Sequence, residues 1–137
     1  MSDEVTPTFP WPSYYGHFNF FEARMRGHGS VKAINANPNG VYDLTLTSGR
    51  LIRVFICECY SFGVAEYTEV TQKLGHLDAI IINSAWCGYT WDAKRTTRAD
   101  KVGLYKIGDF MSALNKHNAW DHLNDAEKEK FAKEGWL

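Results

Sequence analysis

The feature that most constrains the fold is a run of three extended segments joined by two tight turns. The middle segment, Val41–Thr47 (VYDLTLT), alternates apolar and polar side chains through most of its length, which is typical of a strand. It is preceded by Asn37–Gly40 (NPNG), whose Asn and Gly accept positive φ while the proline presets its own. Residues 48–49 (SG) supply the second turn. The segments Ser30–Ala36, Val41–Thr47 and Leu51–Tyr60 are therefore predicted to form an antiparallel meander.

The third segment of this meander, Leu51–Tyr60 (LIRVFICECY), is apolar on both faces over much of its length. Such a pattern indicates a central strand that is covered on both sides. From Val64 onward, helical and extended patterns alternate. The predicted elements are helix 17–26 before the meander and, after it, helix 64–74, strand 77–83, helix 91–100, strand 102–107, helix 108–116 and helix 124–134. The predicted fold is a single α/β domain over residues 1–137, with an irregular, proline-containing lead-in over residues 1–16.

Composition narrows the function classes. Hydrophobic residues make up 45% of the chain and the formal charge is −1, so nucleic-acid binding by bulk charge is not expected and a local basic patch is needed. The apolar stretches are too short to span a bilayer, and the acidic, proline-containing start predicts no signal peptide. Three cysteines, an odd number, favour reduced thiols in a cytoplasmic protein.

A meander followed by α-β-α-β resembles the core of the PD-(D/E)XK, or restriction-endonuclease-like, superfamily, and is most similar to its Mrr-type domains. The likeness covers roughly residues 18–115 and implies a three-layer core, a mixed sheet flanked by helices. Phe21-Glu22 matches the glutamate of the family's first helix, and Asp43 matches the aspartate of its second strand. The tract IIINSAWCGYTWDAK is similar to an Mrr-type strand followed by an aromatic-Thr-x-x-Ala helix start.

The resemblance implies a magnesium-dependent nuclease site with one departure. Glu58 stands where the family has its strand-three carboxylate, and Tyr60 stands where the catalytic lysine is expected. Asp43 and Glu58 would hold Mg²⁺, which binds through one or two carboxylates and activates a water. Tyr60 carries no positive charge, so Lys73 on the following helix is the nearest substitute cation in sequence.

Each of these residues also has a structural interpretation. Asp43 could cap a turn or pair with Arg50 or Arg53, and Glu58 could be a strand-end carboxylate that meets Lys94 or Arg95. Glu22 has a functional interpretation as a second carboxylate of the metal site and a structural one as a solvated helix residue.

The one basic cluster is the segment Lys94–Arg98 with Lys101, in which Lys94, Arg95 and Arg98 are the candidates for phosphate contact. Arg24 and Arg26 would help if they lie nearby, and an ordinary solvated helix face is the alternative. An aromatic loop close to this cluster indicates either core closure or a docking surface; its members are Trp86, Tyr89 and Trp91.

The pair Cys57 and Cys59 lacks the spacing of a zinc site and is predicted to be core thiols. Cys87 has an alternative interpretation as a nucleophile with a distant histidine, which no local pattern supports. Two functions therefore follow from the sequence. One is a nuclease-fold protein that acts on or binds DNA or RNA, with Mg²⁺ if it cleaves. The other is a catalytically silent protein of the same fold that serves a protein partner in immunity or regulation.

Overall fold

The fold is α/β, with helices on both faces of a mixed sheet. The computed structural model describes residues 15–83, 87–116 and 118–137, with side chains from residue 18 onward. Within these ranges the α-helices are α1 Tyr15–Arg26, α2 Val64–Leu74, α3 Trp91–Ala99, α4 Ile107–Ala113 and α5 Asp125–Glu134. The strands are β1 Val31–Ala36, β2 Val41–Leu46, β3 Leu51–Cys57, β4 Ser61–Phe62, β5 Ala79–Ile82, β6 Gly88–Tyr89 and β7 Gly103–Tyr105.

The main sheet has five strands in the order β1-β2-β3-β5-β7. The predicted meander is confirmed, since β1 pairs antiparallel with β2 and β2 with β3. β5 then lies parallel to β3, and β7 parallel to β5, as crossover connections through helices require. The turn between β1 and β2 uses Asn39 and Gly40 at positive φ, in agreement with its sequence.

The central strand β3 separates two apolar clusters. Val54 and Ile56 face α1 and α4, where Phe21 and Phe110 are fully buried. The alternate residues of β3 face the opposite cluster, to which α2 and α3 contribute. Because both faces of β3 are covered, its nearly continuous apolar sequence is explained.

Strand β3 ends at Cys57, three residues earlier than predicted. Its neighbours set this limit, because Phe55 is opposite Val41, the first residue of β2, and Cys57 is opposite Ile82, the last residue of β5. Residues 58–60 therefore have no neighbouring strand in the main sheet. The chain instead forms a two-stranded parallel pair, β4 with β6, which the sequence analysis did not predict.

The terminal regions differ in how far the structure tests them. Residues 1–14 of the predicted lead-in lie outside the described residues, and residues 15–16 belong to α1. The last helix begins at a capping box, in which the Asn124 side chain accepts from the backbone N–H of Glu127 and the Glu127 carboxylate accepts from that of Asn124.

In the described part of the chain, no helix has the length and apolar character needed to cross a membrane.

The cysteines are free thiols. Cys57 and Cys87 are buried in one apolar cluster and Cys59 packs against it, which confirms the prediction of a core thiol for Cys57. Burial is the largest cause that raises the pKa of the Cys57 thiol, so this thiol stays protonated near neutral pH.

Candidate functional site

Asp43 lies in β2 with its carboxylate held by two neighbours. Its Oδ1 accepts a hydrogen bond from Nε of Arg53 at 3.3 Å, and its Oδ2 accepts one from Nδ2 of Asn37 at 2.9 Å. The Cα atoms of Asp43 and Arg53 are direct partners in the β2–β3 ladder. Of the interpretations left open by the sequence, the ion pair between Asp43 and Arg53 is therefore present in the structure.

Glu58 lies beyond the far end of the neighbouring strand. Asp43 is level with Arg53, and four strand steps, roughly 13 Å, lead from Arg53 to Cys57, the residue before Glu58. Ligand oxygens of one Mg²⁺ each lie about 2.1 Å from the ion. Asp43 and Glu58 therefore do not fit a shared magnesium ion. Among the described residues, no group of three or more His, Cys, Asp or Glu side chains is arranged to hold a metal.

Tyr60 and Lys73 do not complete such a site. Tyr60 is 80% exposed, and its backbone carbonyl accepts from the N–H of Gly88. Helix α2 connects the end of β3 to the start of the parallel strand β5, so it runs back along the sheet. Lys73 lies in the last turn of α2 and is therefore at the opposite end of the sheet from Tyr60.

Glu22 is a half-buried hydrogen-bond acceptor on α1. The Tyr42 hydroxyl donates to its Oε2 at 2.7 Å, and Arg26 lies 3.4 Å from its Oε1. Burial, followed by this hydrogen bond, raises the pKa of Tyr42. Glu22 lines a pocket of about 330 Å³ in which amides, two aromatic rings and the carboxylate meet. Its lining residues are Phe18, Asn19, Glu22, Ala36, Asn37, Asn39, Gly40 and Tyr42.

The three predicted phosphate-contacting residues do not form one surface. Lys94 is only 1% exposed, whereas Arg95 is exposed and Arg98 is half-buried. The Arg95 guanidinium lies 4.7 Å from the centre of the Trp136 ring. The expectation of a shared basic face is therefore corrected for Lys94, because helix α3 turns this residue inward. Nucleic-acid contact by Arg95 and Arg98 stays a prediction.

Lys94 is instead part of a buried polar network between α3, β7 and α5. Its Nζ donates to the backbone carbonyl of Leu104 at 2.6 Å and lies 3.6 Å from Oε1 of Glu127. It also lies 4.0 Å from the centre of the Tyr105 ring. Burial lowers the pKa of Lys94 to about 8, and the Glu127 carboxylate opposes this shift. The network thus holds a lysine that loses its proton far more readily than a surface lysine.

Glu127 is the acidic centre of this network and was missed by the sequence analysis. It is 3% exposed, its Oε2 accepts from the Tyr89 hydroxyl at 2.6 Å, and its Oε1 accepts from the N–H of Asn124 at 3.0 Å. Burial and the bond to Glu127 raise the pKa of Tyr89. The available signal was the four-residue spacing of Glu127 and Phe131, which puts the carboxylate on the apolar face of α5.

A second pocket, of about 470 Å³, lies beside this network. Arg98 borders this pocket and is held by two contacts. Its Nη2 donates to Oδ1 of Asp121 at 2.6 Å, and its guanidinium carbon lies 5.6 Å from the centre of the Phe131 ring. His122, in the same wall, has its pKa lowered first by burial and then by Lys116. The pocket is lined by Arg98, Lys116, Asn118, Asp121, His122, Leu123, Lys128 and Leu137.

Three comparisons with known proteins found no relative of this chain. No family model matches it, and neither the curated proteins nor the solved structures include a significant match. The resemblance to restriction-endonuclease-like domains therefore rests on element order and on the residues quoted above.

Proposed function

We propose that the chain is a catalytically silent domain of restriction-endonuclease-like, three-layer architecture that acts by binding a partner. The architecture is supported by the antiparallel meander, the parallel strands that follow it, and the helices packed on both faces of the sheet. This combination fits the order of elements on which the resemblance depends.

The position of Asp43 is the observation that carries the silent role. Its two carboxylate oxygens accept hydrogen bonds from Arg53 and Asn37, and its strand position is roughly 13 Å from the level at which β3 ends. Metal-assisted hydrolysis requires carboxylates that converge on one ion. Glu58 does not reach this convergence, and Tyr60 supplies no cation to stabilise a phosphorane.

A cleavage assay tests the proposal. The full chain is incubated with plasmid DNA, single-stranded DNA and RNA in Mg²⁺ and in Mn²⁺, beside the variants Asp43→Ala and Glu58→Ala. We expect the wild-type protein to show no more cleavage than either variant. Cleavage by the wild type that is lost in one of the variants would overturn the proposal and restore the nuclease function.

A binding assay then separates a nucleic-acid partner from a protein partner. Anisotropy of labelled DNA and RNA is measured with the wild type and with Arg95→Gln, which changes an exposed cation of α3. The proposed immunity-type or regulatory role predicts weak binding that is unchanged by Arg95→Gln. A loss of tight binding in this variant would identify nucleic acid as the partner.

A further inference from the structure

The pocket bordered by Arg98 combines positive charge with an apolar wall. Its cations come from three separate parts of the fold: Arg98 from α3, Lys116 from the segment after α4, and Lys128 from α5. Asp121 is the one side-chain carboxylate of the lining and is already paired with Arg98 at 2.6 Å. Three cationic side chains and one acidic side chain therefore surround a volume of about 470 Å³.

The arginine of this pocket is preorganised. Its guanidinium is fixed between the Asp121 carboxylate and the face of the Phe131 ring, so little side-chain freedom remains to be lost on binding. A fixed guanidinium presents several N–H groups in one plane, which suits the oxygens of a phosphate.

The same wall leaves hydrogen-bonding capacity unused. Among the described residues, the buried side-chain nitrogens without a partner are Nε of Arg98 and Nδ1 of His122, and both residues line this pocket. Buried polar groups in native proteins are normally satisfied, so two unsatisfied nitrogens in residues that line one pocket call for a functional reason. Both atoms are enclosed, so a ligand would reach them only through a rotation of the Arg98 or His122 side chain. Two leucines of the lining, Leu123 and Leu137, offer apolar contact to the organic part of a ligand.

We propose that this pocket binds a phosphomonoester on an organic group of about nucleotide size. A phosphomonoester carries a charge near −2 at neutral pH, which suits a lining in which cationic side chains outnumber acidic ones. The volume falls within the roughly 300–1,000 Å³ range of small-molecule sites. The phosphate can come from a free mononucleotide or from the phosphorylated 5′ end of a nucleic acid. The pocket contains neither Asp43 nor Glu58, so the proposed phosphate binding does not depend on the proposed absence of nuclease activity.

Calorimetric titration of the full chain with 5′-AMP and with adenosine tests the phosphate requirement. We expect AMP to bind at least tenfold more tightly than adenosine. We expect the double variant Lys116→Gln/Lys128→Gln to bind AMP at least tenfold more weakly than the wild type. Lys133 is an exposed lysine of α5 outside the pocket, so the control variant Lys133→Gln should keep an AMP affinity within twofold of the wild type. Since Lys116 and Lys128 are exposed, we expect both sets of variants to retain the wild-type melting temperature.

Oligonucleotides that differ only in a 5′-phosphate or a 5′-hydroxyl distinguish the two sources. Preference for the phosphorylated end over AMP would support the site with a nucleic-acid end as its ligand, and preference for AMP would support a free nucleotide. Equal binding of AMP and adenosine, no binding of any phosphorylated probe at millimolar concentration, or unchanged binding by the double lysine variant would overturn the proposal. The comparison of AMP with adenosine uses only the wild type, so it is decisive even if a variant fails to fold.

Discussion

We expect the buried ion pair between Lys94 and Glu127 to contribute measurably to the free energy of unfolding. Replacing Lys94 with Met removes the ammonium that donates to the Leu104 carbonyl at 2.6 Å and lies 3.6 Å from Glu127. Breaking one side of a buried ion pair typically costs about 3–5 kcal/mol in free energy of unfolding. Glu127 would keep two donors, the Tyr89 hydroxyl and the N–H of Asn124, so we expect the lower end, about 3 kcal/mol.

The companion variant Glu127→Gln leaves the lysine its carbonyl and aromatic contacts. We expect this variant to cost about 2 kcal/mol, because Lys94 still donates to Leu104 and lies over the Tyr105 ring. In the double variant no charge is left unpaired, so its loss should stay near about 3 kcal/mol. The coupling energy between the two positions is then about 2 kcal/mol, within the range for residues in contact.

Urea unfolding followed by tryptophan fluorescence measures these free energies, since the chain has five tryptophans. Lys133→Met is the matched control, because Lys133 is an exposed lysine of α5 and its loss should change stability by less than about 0.5 kcal/mol. A loss below about 1 kcal/mol for Lys94→Met, or additive losses in the double variant, would refute a buried, coupled pair.

Two further predictions concern pH and the first turn of the meander. The pKa of Lys94 is about 8 in the folded chain against an ordinary 10.5, so the unfolded chain binds more protons between these values and stability should rise with pH from 8. Burial also raises the pKa of the Cys57 and Cys59 thiols above their ordinary 9.0 and the pKa of Tyr67 to about 12 from 10.0, so the unfolded chain loses these protons first and stability falls again above about pH 9. Urea unfolding across this range should therefore show a maximum near pH 9, and Lys94→Met should abolish the rise that precedes it. Gly40 and Gly49 both have positive φ, but a Cβ on Gly40 would lie 2.8 Å from the Ile56 carbonyl oxygen, whereas one on Gly49 would meet no atom within 4 Å. We therefore expect Gly40→Ala to lower the free energy of unfolding by about 3 kcal/mol and Gly49→Ala by about 1 kcal/mol, as measured by thermal melting. Similar losses for the two glycine variants would show that this close approach is absent.

The meander was predictable because its determinants are local. Strand β2 carries its own alternation, β3 carries a nearly continuous apolar run, and the turn at Asn37–Gly40 carries the residues that its backbone conformation requires. The end of β3 was not predictable in the same way, since it depends on where β2 and β5 stop. The β4–β6 pair has two residues in each strand, too few for a periodic signal.

The polar site was harder to predict than the fold. Helix α3 (WDAKRTTRA) has a strongly polar sequence, which favours a solvated face, yet Ala93, Lys94 and Thr97 are its buried residues. Their spacing is that of one face of a helix, but a lysine on that face is predicted to be exposed unless a buried partner for it is known. The partner, Glu127, lies 33 positions away in sequence and on another helix, so no local pattern could reveal the pair.

The buried pair and the phosphate pocket are joined through the same two helices. Arg98 lies one turn after Lys94 on α3, and Lys128 follows Glu127 on α5, so the pair fixes the distance between two of the pocket's cations. Loosening the pair should therefore weaken binding at the pocket although no lining residue changes. We expect the double variant Lys94→Met/Glu127→Gln to bind AMP about tenfold more weakly than the wild type at a temperature where circular dichroism shows it folded, because precise placement of cations determines phosphate affinity. Full AMP affinity in that folded variant would show that the packing of α3 on the sheet is enough to place Arg98, and that the buried pair serves stability alone.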